Sequence, residues 1–213
     1  MFISDNITRK SNLDVSDSLS AYLNHTCQQN PNCFVEFYKL LLAKKPKRIL
    51  EIGTAQGGLT TYLKYMCDAL ELDTQIRSYD VNELPWFDAI REQGIDLCVE
   101  NIFEPNYTGL ANDEIIDFIQ GDGVTLVLCD GGSKVREFNI LSEYIKPLDI
   151  IMAHDYAFDS DYFTKTIKGK FWNWHEISEQ DIKDCSDKFN LKPFMQDGFT
   201  KAVWVCKIKK EKY

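Results

Sequence analysis

From residue 33 onward the apolar positions follow two alternating rhythms. In Cys33–Lys45 (CFVEFYKLLLAKK), Phe34, Phe37, Leu40 and Leu41 recur at helical spacing, and two lysines close the run before Pro46. Arg48–Ile52 then reads as a short β-run ending in a Gly-rich turn, and Gly58–Leu70 as a helix. The same alternation continues with a strand at Gln75–Asp80, a helix at Trp86–Gln93 and a strand at Ile95–Asn101. It goes on with a helix at Asp113–Gln120, a strand at Thr125–Asp130, a helix at Lys134–Ile145 and a strand at Asp149–Ala153. Short apolar strands separated by helices predict βαβ units and a parallel sheet covered on both faces.

The rhythm changes at both ends. Residues 1–31 are polar, with a short helix predicted over Asp14–Leu23. Beyond residue 155, Lys170–Ile177 and Thr200–Ile208 read as strands around a helix at Glu179–Phe189. A turn at Gln196–Gly198 feeds the last strand closely, which predicts an antiparallel finish. The expected architecture is a Rossmann-like, doubly wound α/β sheet of seven strands, mostly parallel with an antiparallel last strand. The expected division is an N-terminal helical lid or interface segment, 1–44, followed by one catalytic domain, 45–213.

Composition narrows the partners rather than the fold. A chain of 213 residues with 44% hydrophobic and 27% charged positions is ordinary for a globular domain. The 33 acids against 24 bases give a net charge of −9, which disfavours nucleic acid and anionic membranes. No apolar run approaches the ~20 residues that span a bilayer. The seven cysteines are odd in number, include no CxxC pair and sit largely in apolar runs, so a reduced cytoplasmic protein is expected. An aromatic content of 13% leaves room for a homo-oligomeric face.

In an open parallel sheet, ligands bind beyond the carboxyl ends of the strands. The first strand ends in Glu51-Ile52-Gly53-Thr54-Ala55-Gln56-Gly57-Gly58. Its small residues let a backbone approach a ligand and open the next helix toward it. The G-x-A-x-G spacing is not the G-x-G-x-x-G of dinucleotide enzymes. Asp80 ends the second strand, where a carboxylate can accept from both hydroxyls of a ribose. Asp130 and Asp155 follow two apolar strands, where an unpaired charge is costly. His154 stands as metal ligand, general base or hydrogen-bonded structural residue. Asn101 is a ligand contact or a turn residue. Lys134, four residues after Asp130, is a catalytic candidate or a helix-surface lysine. Trp172 and Trp174 line a wall of the acceptor site or pack the core.

Glu51-x-Gly53-x-Ala55-x-Gly57 followed by Asp80 resembles the first motif and ribose acid of the class I S-adenosylmethionine-dependent methyltransferases. The stretch PKRILEIGTAQGGLTTYL resembles the start of the cephalosporin hydroxylase family. The stretch LVLCDGGSKVREFNILSEYIKPLDIIMAHDY resembles that family and the macrocin O-methyltransferases. The similarity covers roughly residues 34–156. It implies S-adenosyl-L-methionine bound by Glu51, Gly53, Thr54, Ala55, Gly57, Gly58, Asp80, Asn101 and Asp130. It also implies a divalent metal, Mg or Mn, held by Asp130, His154 and Asp155, although the family has Glu or Asp where this chain has His154. The implied reaction is O-methylation of a small polar acceptor such as a sugar or diol hydroxyl; His154 and Lys134 are the candidate catalytic side chains, although the lysine of some metal-dependent O-methyltransferases stands three residues after the first metal acid and Lys134 stands four. The alternatives are a hydroxylase-like enzyme with another reaction and a nucleoside-binding module without transfer activity.

Overall fold

The computed structural model of the chain describes residues 7–9, 19–22 and 25–211. Three short strands, β1 (Ile7–Arg9), β2 (Leu19–Tyr22) and β3 (His25–Gln28), form an antiparallel sheet ahead of helix α1 (Asn32–Lys44). The alternation then runs β4 (Arg48–Ile52), α2 (Gly58–Ala69), β5 (Gln75–Asp80), α3 (Phe87–Arg91), β6 (Asp96–Val99) and α4 (Glu114–Gln120). It continues with β7 (Thr125–Cys129), α5 (Lys134–Leu141) and β8 (Ile150–Ala153). The remainder comprises β9 (Tyr156–Ala157), a helical turn α6 (Ser160–Tyr162), β10 (Ile177–Ser178), α7 (Glu179–Lys188), β11 (Leu191–Pro193), α8 (Gln196–Lys201) and β12 (Val205–Lys209).

The main sheet has seven strands in the order β11-β12-β8-β7-β4-β5-β6. β4 to β8 pair in parallel, and β12 runs antiparallel between β8 and β11. Chain order reverses between β4 and β7, so the loops after those two strands lie side by side at the carboxyl edge. β7 and β8 are buried on both faces, which explains their nearly unbroken apolar runs, while β4 is equally buried but carries Arg48 and Glu51. Alternate residues feed two cores. Ile49, Leu126, Leu128, Ile150 and Met152 pack with Phe34, Phe37, Tyr62 and Phe199 from α1, α2 and α8. Leu50, Val127, Cys129 and Ile151 pack with Ile115, Phe138, Leu141 and Ile182 from α4, α5 and α7.

The structure revises the reading of the two ends. Leu19–Tyr22 is a strand rather than part of a helix, because it pairs with β1 on one side and β3 on the other; residues 14–18 lie outside the described residues. Lys170–Ile177 is not a strand. Gly169 at φ 71° turns the chain there, Trp172 makes a single bridge back to Lys168, and Ile177–Ser178 pairs with Tyr156–Ala157. The turn at Gln196–Gly198 belongs to α8, and the last strand begins at Val205 rather than Thr200. Its antiparallel neighbour on the outer side is β11. Helix α7 begins as read, fixed by Ser178 and Asp181, which exchange hydrogen bonds with each other's backbone amides. Among the described residues no helix is long and apolar enough to cross a membrane.

Candidate functional site

The loop after β4 owes its shape to three residues in left-handed backbone conformation: Gly53 at φ 93°, Ala55 at 47° and Gly57 at 75°. At Gly53 a side chain is impossible, since a Cβ would lie 2.3 Å from the carbonyl oxygen of Asp130. The loops after β4 and β7 therefore touch backbone to backbone. Ala55 holds its unfavourable conformation because both its polar groups are bonded: its N–H donates to Asp80 Oδ2 at 2.9 Å, and its carbonyl accepts from Trp86 Nε1 at 2.9 Å. Gly58 starts α2 beneath β3, where a Cβ would lie 2.5 Å from Cys27 Cβ.

Glu51 and Thr54 face inward. Glu51 Oε2 accepts from Thr60 Oγ1 at 2.6 Å and Ser78 Oγ at 2.5 Å, and the Thr54 hydroxyl lies 2.6 Å from Ser78 Oγ. Burial pushes the Glu51 carboxyl up to about 7, against the lowering effect of the two hydroxyls. The folded chain thus binds a proton on Glu51 between about pH 4.5 and 7 that the unfolded chain has released. Stability then falls as pH rises through that window. Glu51→Gln keeps an acceptor for both hydroxyls and removes this loss. Relative to wild type, the variant should gain on the order of 3 kcal/mol between pH 4.5 and 7.5. Urea unfolding at the two pH values measures it, and a constant difference would refute it.

The loop after β7 is tied down by Glu137 of α5, whose carboxylate accepts from Gly131 N at 3.1 Å and Ser133 N at 2.8 Å. It presents Asp130. The loop after β8 presents His154 and Asp155, the latter at φ 57°. His154 Nδ1 lies 3.1 Å from Asp130 Oδ1 and 3.5 Å from Asp155 Oδ1. Burial would lower the His154 pKa, but the carboxylates of Asp130 and Asp155 outweigh it and raise it above the usual value. Lys134, the first residue of α5, is buried. Its Nζ lies 3.0 Å from Asp155 Oδ2, 3.0 Å from Glu176 Oε2 and 3.8 Å from Asp130 Oδ1. The helix-surface reading of this lysine is therefore wrong. Burial opposes the charge on Lys134, but Asp130 and Asp155 overcome it and hold the ammonium above its ordinary range. Asp155 is held below the usual carboxylate range, because His154 and Lys134 outweigh its burial.

Two cavities open at this edge. The first, about 370 Å³, is lined by Glu51, Gly53–Gly58, Asp130, Lys134, His154, Asp155, Trp172, Trp174 and Glu176, with Thr26–Gln29 on the N-terminal side. The second, about 230 Å³, is lined by Asp80, Asn101, Ile102, Phe103, Tyr107 and Glu137. Gly53, Ala55 and Asp130 line both. Every sequence-derived candidate thus reaches one cavity or the other. Asn101 also serves its own turn, accepting from Phe103 N at 3.1 Å. Trp172 and Trp174 do not alternate on a strand, but their rings meet edge-on at 5.1 Å, and Trp172 Nε1 donates to Asp155 Oδ1.

Three participants escaped sequence reasoning. Gln29 Nε2 donates to Asp130 Oδ2 at 2.6 Å, while Gln29 Oε1 accepts from Trp204 Nε1 at 2.8 Å. Glu176 pairs with Lys134. Nothing local to these residues signals a role, since their partners lie in distant parts of the chain.

Asp130, His154 and Asp155 place three donor atoms within 4.8 Å of one another, a spacing an ion could bridge if water or substrate completed its shell. Each carboxylate, however, already faces two protein donors. Asp130 takes Gln29 and His154, and Asp155 takes Trp172 and Lys134. His154 turns toward the carboxylates the nitrogen with which it would bind an ion, while its Nε2 is buried without a partner among the described residues. The donor set as arranged does not fit a divalent ion.

No family model matches the chain, and no curated protein sequence does. Solved structures do. The apo form of CmcI superposes with a TM-score of 0.62 at 11% identity, covering 90% of this chain and 76% of that one. CmcI with Mg and SAM gives a TM-score of 0.59 at 12% identity, covering 88% and 75%. A Staphylococcus aureus protein assigned as a caffeoyl-CoA O-methyltransferase gives 0.51 at 14% identity, covering 83% and 82%. The chain has the Rossmann-like fold of the class I S-adenosylmethionine-dependent methyltransferases, in the arrangement seen in CmcI.

Proposed function

We propose that this protein is an S-adenosylmethionine-dependent O-methyltransferase acting on a small polar molecule such as a sugar or diol. The observation that carries the reading is the pair of cavities meeting at Gly53, Ala55 and Asp130. The smaller one has the ribose-type acid, Asp80, at its wall beside the tight loop after β4. The larger one holds an acid–histidine–lysine cluster under two tryptophans. CmcI, which shares the fold, has been solved with SAH and with Mg and SAM, which supports a sulfonium nucleoside as the ligand here.

When bound, S-adenosylmethionine supplies a methyl group activated by a sulfonium. The chain's part is placement and proton handling. Asp80 would accept from the ribose hydroxyls, and the loop from Gly53 to Gly57 would lie against the donor. Asp130 orients His154 through Nδ1, leaving Nε2, buried and unpartnered among the described residues, as the nitrogen that would take the acceptor's hydroxyl proton once the acceptor uncovers it. His154 would hold the proton released as the acceptor oxygen takes the methyl group. Trp172, Trp174 and Glu176 form the acceptor wall, and residues 26–29 close its N-terminal side. A metal ion has no part in this scheme.

Titration of S-adenosylhomocysteine by calorimetry tests the reading. Wild type should bind, and Asp80→Ala should bind roughly 10- to 100-fold more weakly, the worth of lost hydrogen bonds to a charged acceptor. No detectable binding by wild type would sink the methyltransferase assignment.

A further inference from the structure

Asp130 and Asp155 end neighbouring strands with side chains only 17% and 9% exposed. Two carboxylates so placed need a nearby positive charge. The structure supplies one from the protein itself. The Lys134 ammonium lies 3.0 Å from Asp155 Oδ2 and 3.8 Å from Asp130 Oδ1. It also reaches Glu176 Oε2 at 3.0 Å and the Gly131 carbonyl at 3.2 Å. Its side chain is 8% exposed, so little water competes for it.

We propose that Lys134 is the resident cation of this site, standing between Asp130 and Asp155 where a divalent ion would otherwise sit, so that the protein works without a metal. The inference rests on the methyltransferase reading for the reaction, though the metal titration below does not depend on it.

Three independent features support it. First, each of the four carboxylate oxygens already takes a protein donor, from Gln29, His154, Trp172 or Lys134. An ion would have to share these oxygens with those donors, beside an ammonium 3.0 Å from Asp155 Oδ2. Second, a lysine as the first residue of a helix faces the positive end of the helix dipole, an unfavourable place for a cation unless acids compensate. Here three carboxylates do. Third, His154 brings no negative charge. With a histidine at that position the site has two carboxylates in its core, plus Glu176 at the rim, one negative charge fewer than an acid there would give, and Lys134 faces all three. In this role Lys134 is a positioning residue: it holds Asp130 and Asp155 in place, and Asp130 in turn orients His154.

The test is a Mn²⁺ titration of the full chain after dialysis against chelator, followed by calorimetry and water-proton relaxation. Wild type should show no saturable binding up to about 1 mM, and its affinity for S-adenosylhomocysteine should be the same with EDTA as with Mn²⁺. Lys134→Ala exposes the two carboxylates and should bind Mn²⁺ at least about 10-fold more tightly than wild type. Micromolar Mn²⁺ binding by wild type, or no gain in the variant, would overturn the proposal. Lys134→Gln, which keeps the volume and a donor, replaces the alanine variant if that one does not fold. Should neither fold, the wild-type arm decides alone. Loss of S-adenosylhomocysteine binding in wild type would count against the methyltransferase reading and leave the Mn²⁺ result standing.

Discussion

Gly53→Ala is expected to melt well below wild type and to lose S-adenosylhomocysteine binding. Two costs add at this position. The backbone sits at φ 93°, a conformation that residues with a side chain rarely adopt. The new Cβ would also lie 2.3 Å from the Asp130 carbonyl oxygen, 2.7 Å from its carbonyl carbon and 2.9 Å from Gly131 N. All three atoms belong to backbone, so no side chain can swing aside. The loops after β4 and β7 must part, and both cavities are built on their contact. A loss of about 3 kcal/mol or more follows, or roughly 6–12 °C in melting temperature for a chain of this size. Thermal denaturation with parallel calorimetry checks it. A melting point within about 2 °C of wild type would mean that these loops are not in contact as described.

Asp155→Ala should be nearly as damaging, for electrostatic reasons. The side chain accepts from the Trp172 indole and pairs with Lys134. Its removal leaves a buried indole N–H without its acceptor and shifts a buried ammonium onto its remaining partners. Breaking a buried charged pair on one side costs about 3–5 kcal/mol. Alanine also sits poorly at φ 57°, where Asp and Asn are tolerated. Asp155→Asn keeps the backbone preference and an acceptor for Trp172, and loses only the charge. It should therefore fall between wild type and the alanine variant. Melting curves of the three proteins order them, and equal melting points for the two variants would refute the charge component.

The central part of this fold is readable because its strands are buried on both faces. Thr125–Cys129 and Ile150–Ala153 are apolar at nearly every position, and such runs are bounded sharply by polar loops. The carboxyl-edge residues were legible for the same reason: a charge directly after an apolar strand stands out. The ends were harder. Leu19–Tyr22 carries no strand signature of its own, and its partners in β1 and β3 define it. Lys170–Ile177 has strand-like aromatic alternation, but its tryptophans are spent on Asp155 and on each other. Lys134 looked peripheral because helical spacing from Asp130 gives no hint of burial, which comes from Glu176 and Asp155 on other elements. Gln29 lies in a stretch too polar to suggest a core contact, yet its amide joins Asp130 to Trp204 across the whole chain.

The wall shared by the two cavities is thin: Gly53, Ala55 and Asp130 separate them. Each cavity has its own exposed rim, Val81, Glu100 and Asn101 on one side and Thr26, Gln28 and Trp174 on the other. On the proposed reaction, donor and acceptor arrive by different mouths and meet only at the partition. Neither has to be seated before the other can reach its place, so a random kinetic order of binding is expected, and initial-rate kinetics with both substrates varied would check it. Spent donor can likewise leave while the methylated product is still held.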